Sequence, residues 1–205
     1  MNIFVHLLIA NSVRTSVYKK TGAKLSFAGF LFGNILPDIS PKYDENPHYY
    51  KDSLSFVIES AAKLNNSAVE GGINSFSYSQ KVGVITHYLS DFFCYAHSEH
   101  YNENIYQHHV YEFLMFFLFR RGLLLYHQTS NPELINFSEL ENFINSNSKD
   151  YSSKLNLKVN DVFFALNVSV AFILCLLKEN VFNHEKNFFA YNNINSEKFV
   201  CREAE

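Results

Sequence analysis

The chain of 205 residues contains no tryptophan, only seven glycines and only four prolines. So few breakers between long apolar stretches exclude a turn-rich β architecture and point to an all-helical protein. Cysteine is scarce too. Cys94, Cys175 and Cys201 are odd in number and form no CxxC pair, so neither a disulfide framework nor a thiolate zinc site is expected. Basic blocks are absent and the formal net charge is −3, which excludes a duplex nucleic-acid surface. Met1-Asn-Ile-Phe-Val-His6 has no basic stretch ahead of its apolar residues and carries a histidine inside them. It does not read as a signal peptide, and the chain is expected to be cytoplasmic. The longest apolar run, Val162 to Leu177, is interrupted by Asn167 and Ser169. It is short for a membrane span and fits a buried central helix, so no transmembrane segment is expected.

What the chain does have is 47% apolar residues, enough for a sizeable core, and an abundance of Phe and Tyr. Neither a repeat nor a linker divides it, so residues 1–205 are expected to form one compact multi-helix domain. Asn2 to about Val17 reads as helix, with Val5, Leu8, Ile9 and Val13 near a 3.6-residue period. Leu25 to Phe32 is a second helix, stopped by Gly33. Asn34 to Pro47 holds three prolines and reads as an irregular loop. Further helices are expected over Tyr49 to Leu64, Tyr78 to about His97, about Asn104 to Leu124, Ser138 to Asn147 and Val159 to Asn180. The tail after Asn192 reads as loose.

Histidine is concentrated. Five of nine fall between His87 and Glu112. His87 and Asp91 are i,i+4, and so are His108 and Glu112, so each pair projects from one helix face toward a shared cation. Imidazole and carboxylate are the donors zinc takes when no thiolate is offered. One such pair alone is commonly just a solvated helix face. The case for metal rests on the conjunction with His6, Asp38, His48 and His97. Eight candidates exceed the three or four protein ligands of one zinc. Two or three ions are expected, with Asp91 as a bridge. His100 and His109 read as surface groups, and His127 and His184 have no assigned role. Cys94, on the same expected helix as Asp91 but about 300° around it, reads as a buried thiol. Other metal motifs fit worse. HExxH and His-Asp dipeptides are absent, and the one clear ExxH, Glu45 to His48, contains Pro47.

The ordered set resembles the bacterial zinc-dependent phospholipase C family, whose catalytic domain is all-helical and holds three zinc ions. His6-Leu-Leu-Ile resembles its first element. Asp38 in Gly33-Asn-Ile-Leu-Pro-Asp38 and then His48 resemble the next two. His87-Tyr-Leu-Ser-Asp91 matches HxxxD, His97 follows by six, and His108 to Glu112 matches HxxxE. The likeness spans about residues 1–115. It implies one metal on Asp38, His48, His87 and Asp91, and a second on His97, His108 and Glu112. The third would take His6, Asp91 and the amine and carbonyl of Met1, where the secreted members begin at a tryptophan. Fungal single-strand-specific nucleases share a similar trinuclear scaffold.

The expected activity is zinc-dependent hydrolysis of a phosphodiester, with a phospholipid as the implied substrate. Metals sharing Asp91 would acidify a bridging water toward neutrality, and the resulting hydroxide would attack phosphorus in line. Asp38 is a candidate general base as well as a ligand. Tyr43, Tyr49 and Tyr50 are candidates for the entrance. The alternatives are a single-strand nuclease, for which Arg120-Arg121 would be the basic pair near the cleft, and a non-catalytic metal-binding protein.

Overall fold

Asn2, Ser26, Ser75 and Asn104 each accept a backbone N–H from three residues on with a side-chain oxygen, so four helices begin where a cap residue stands. In the computed structural model, which describes residues 1–66, 72–101, 104–130, 134–154 and 158–178, seven helices follow one another. They are α1 (Ile3–Thr21), α2 (Phe27–Ile39), α3 (Tyr50–Asn66), α4 (Phe76–Phe92), α5 (Ile105–Thr129), α6 (Leu140–Ser152) and α7 (Lys158–Lys178). Short 3₁₀ turns lie at Pro41–Tyr43, Tyr95–His97 and Phe137–Glu139. No strand occurs among the described residues. The protein is all-α and packs as one body. The tail after Asn192 and His184 lie outside the described residues.

Helix α4 runs through the middle of the molecule and is buried on nearly every side. Two of its buried hydroxyls are satisfied within the helix: Thr86 Oγ1 donates to Val82 O (2.9 Å) and Ser90 Oγ to Thr86 O (2.8 Å). Helix α2 crosses α4 at glycine on both sides. A Cβ on Gly33 would lie 2.1 Å from Gln80 O, and one on Gly83 would lie 2.4 Å from Phe30 O. Gly33 therefore does not stop α2, as expected from sequence, but lets two backbones touch. Helix α2 continues to Ile39 through Pro37. Proline costs α2 the hydrogen bond to the Gly33 carbonyl, and the helix ends within a turn of it, where the Ser40 N–H donates to Leu36 O (3.0 Å). The expected Asn34–Pro47 loop is thus irregular only from Ser40 onward, and Asp38 sits in a helical turn.

Helix α4 ends at Phe92, short of the expected His97. Cys94 is extended (φ −114°, ψ 119°) and opens the 3₁₀ turn that carries His97. Asp161 on α7 accepts the Tyr95 N–H (3.0 Å) and the hydroxyls of Tyr111 (2.7 Å) and Tyr151 (2.9 Å), tying that turn to α5, α6 and α7. A tertiary hydrogen bond, invisible in the local pattern, diverts the chain. Tyr151 also accounts for α6 reaching Ser152 rather than Asn147, since its ring is buried in the core. Helix α7 is long and apolar enough to cross a membrane, but 78% of its apolar window is buried inside the protein. Cys94 and Cys175 are buried thiols, and burial pushes the Cys94 thiol upward.

Candidate metal centre

Asp91, on the last turn of α4, is fully buried. Its two carboxylate oxygens face different groups. Oδ2 lies 2.8 Å from His48 Nδ1 and 3.2 Å from His87 Nε2. Oδ1 contacts the Met1 amine and lies 3.3 Å from His6 Nε2 and 3.4 Å from His97 Nδ1. Asp38, from the end of α2, reaches the same side as Oδ2, at 3.6 Å from His87 Nε2 and 3.7 Å from His48 Nδ1. On the far side, Glu112 Oε1 lies 3.1 Å from His108 Nε2, 3.4 Å from His97 Nε2 and 3.4 Å from the Met1 amine. Five imidazoles, three carboxylates and one amine thus meet in one cluster. Four triads within it hold donor atoms mutually within 4.8 Å: His6/His87/Asp91, Asp38/His48/His87, His48/Asp91/His97 and His97/His108/Glu112.

The backbone aims these groups. His87 Nδ1 lies 2.7 Å from Asn34 O. A carbonyl can only accept, so Nδ1 carries the proton, and Nε2, which faces Asp38, His48 and Asp91, is the nitrogen left to bind a cation. Asn34 had no signal in the sequence, because its main chain does the work. The Asn2 side chain donates to Glu112 O (2.9 Å), fixing the start of α1 against α5. Ser53 Oγ donates to Pro47 O (2.5 Å), holding the bend before His48. The His6 and His87 rings stack at 3.9 Å.

The electrostatics suit cations. Burial drives His6 down to about 3, the neighbouring His87 adds to this, and Asp91 offsets only part of it. Burial likewise lowers His97, and the Met1 amine contributes. Both rings are therefore neutral, the form a metal binds. Both nitrogens of His6, and Nδ1 of His97, are buried without a hydrogen-bond partner. A buried orphan of this kind costs free energy that a cation would recover. Burial would raise Asp91, but the Met1 amine, His97, His6 and His87 hold it well below the usual carboxylate range. For the Met1 amine burial acts downward, yet Asp91, Cys94 and Glu112 raise it to about 11. No Lys or Arg pairs with any of the three carboxylates among the described residues. The donor set, hard oxygens and imidazoles without thiolate, fits zinc.

A cleft of about 450 Å³ opens beside His97, walled by Tyr49, Tyr50, Phe92 and Tyr101. The Tyr49 ring lies 6.1 Å from the His97 ring. Tyr43 is buried instead, with its ring edge-on to Phe56, and is absent from this entrance. His109 is exposed and turned outward, 4.0 Å from Glu112 Oε2 at its closest. Arg120 and Arg121 are exposed two turns beyond Glu112 on α5 and lie outside the cleft walls.

A model of the zinc-dependent phospholipase C family matches residues 5–158. The chain belongs to that family. The match covers α1 through the start of α7, and so includes every side chain of the cluster and the cleft beside it. No curated protein and no solved structure matches the chain. A phospholipase C family member is a zinc hydrolase of the phospholipase C type, and the histidine–carboxylate cluster supplies groups able to bind the metal.

Proposed function

We propose that the protein hydrolyses the phosphodiester of a phospholipid on the glycerol side, releasing diacylglycerol and a phosphorylated headgroup. The observation that carries this is Asp91, a fully buried carboxylate whose two oxygens face separate donor groups. Asp91 would serve more than one zinc ion. Asp38, His48, His87 and Asp91 would hold one ion, and His97, His108 and Glu112 a second. His6, Asp91 and the Met1 amine, once it gives up its proton, would hold a third. Zinc in such sites supplies Lewis acidity, which lowers the pKa of water and neutralises phosphoryl charge.

The chain's own residues do the rest. Asp38 is the most solvent-accessible of the three carboxylates, and burial raises its pKa above the ordinary value. It is the group placed to take a proton from the attacking water. Asn34 keeps His87 in one tautomer throughout. The cleft volume suits a headgroup with its glycerol. Its tyrosines would also stack on bases, but the basic pair a nuclease reading asks for stands outside the walls. Incubation with phosphatidylcholine, a short single-stranded DNA and a generic phosphodiester tests the proposal. Diacylglycerol release abolished by chelator is expected. Cleavage of DNA alone would transfer the site to a nuclease, and a zinc-loaded protein inert on all three would leave a metal-binding protein.

A further inference from the structure

Helix α5 is apolar on two opposite sides. Its inner side buries Tyr111, Met115, Phe119 and Tyr126 and turns Glu112 toward the metal cluster. At about 100° per residue, Tyr106, Val110, Phe113, Phe117 and Leu124 fall within a band about 60° wide on the outer side. All five are exposed, Phe113 at 60% and Phe117 at 62%. The solvent side of a surface helix is ordinarily polar, and a contiguous apolar stripe marks a contact surface. The charges on this stripe have one sign. Arg120 and Arg121 flank it on either side and are exposed, while Glu112, the only acid of α5, faces inward. A twofold contact between two copies would bring the same patch against itself and gather four arginines with no acid from α5 to answer them. An anionic lipid surface supplies both hydrocarbon and counter-charge.

We propose that the outer face of α5 docks the protein on an anionic phospholipid bilayer. Phe113, Phe117 and Leu124 enter the acyl boundary, and Arg120 and Arg121 meet the phosphates. The same helix presents His108 and Glu112 from its inner side, so the cluster lies within about one helix diameter, roughly 10 Å, of the bound surface. This gives the phospholipid reading a route to its substrate and rests on it for purpose, but docking itself needs no turnover.

Flotation of the zinc-loaded protein with vesicles separates the two. One set is phosphatidylcholine alone and the other is equimolar phosphatidylcholine and phosphatidylglycerol. The wild type should float with the anionic vesicles, weakly with the neutral ones, and be released by high salt. Phe113→Ser with Phe117→Ser, and separately Arg120→Gln with Arg121→Gln, should each lower partitioning by about tenfold or more. Both variants should keep the wild-type rate on a soluble monomeric phosphodiester. A wild type that stays with neither vesicle, or variants that float as it does, would overturn the proposal. So would a wild-type dimer that the phenylalanine variant turns into monomers, because the face would then join two copies. A protein that floats as expected yet cleaves no phosphodiester would leave docking standing and remove the hydrolytic reading.

Discussion

At the scale of single residues, the distinction that matters is between a side chain that serves two donor groups and one that serves a single group. Asp91 touches both sets, whereas His6 lies against one. Asp91→Ala should therefore lose more zinc per chain than His6→Ala, measured by elemental analysis after dialysis. Equal metal content in wild type and Asp91→Ala would refute bridging. His108→Ala should likewise lose zinc while His109→Ala keeps it, because His109 is exposed and comes no nearer than 4.0 Å to Glu112, against 3.1 Å for His108. Protons should act selectively. Burial acts against charge on His48, but the hydrogen bond and charge of Asp91 outweigh it and raise its pKa, whereas His6 and His97 are lowered. As pH falls below about 6, zinc should leave the Asp38/His48/His87 group first and activity should fall with it. Simultaneous release of all zinc would contradict that order. The i,i+4 pairs were legible from sequence because helix geometry alone sets which side chains share a face, whereas His97 was picked out by its spacing in the family likeness and stands on a turn beyond the helix. Asn34 was not, since a backbone carbonyl leaves no mark on residue type.

At the scale of elements, the site depends on how closely α2 approaches α4. Asp38 rides on one, and His87 and Asp91 on the other. Gly83→Ala would put a methyl group against the Phe30 carbonyl, which cannot swing aside. It should cost on the order of 1–3 kcal/mol in unfolding free energy and lower zinc content as Asp38 moves away. A variant with unchanged melting temperature and zinc content would show the helices have room to spare. The periodicity foretold these helices but mistook Gly33 for a stop, because a glycine that ends a helix and one that lets helices touch look alike in one chain. The end of α4 was misplaced for a similar reason, since the Tyr95 N–H finds Asp161 from far away in sequence. Burial raises Asp161 to about 6 from 3.8, against the donors Tyr111, Tyr95 and Tyr151. A carboxyl raised on folding adds stability that is complete below pH 3.8 and lost as pH rises through about 6. The difference amounts to about 3 kcal/mol. In chelator-treated protein, Asp161→Asn should therefore gain stability relative to wild type between pH 4 and pH 7. A gap independent of pH would mean that Asp161 titrates as an ordinary carboxylate.

At the scale of the whole molecule, the cluster joins parts of the chain distant in sequence: the start of α1, the end of α2, the bend before α3, α4 and α5. A ligand that binds only the folded state stabilises it by mass action, so chelator should lower the melting temperature and added zinc should restore it. Fold class was readable at this scale from the shortage of breakers alone. The cleft was not, because its walls come from α3, α4, α6 and the turn after α4, which only the packing brings together. The most direct test of zinc-dependent phospholipid hydrolysis is diacylglycerol release from phospholipid vesicles by zinc-loaded, chelator-stripped and zinc-restored protein. Release by the first, none by the second and recovery by the third is the expected result. Stripped protein that turns over at the zinc-loaded rate would contradict it.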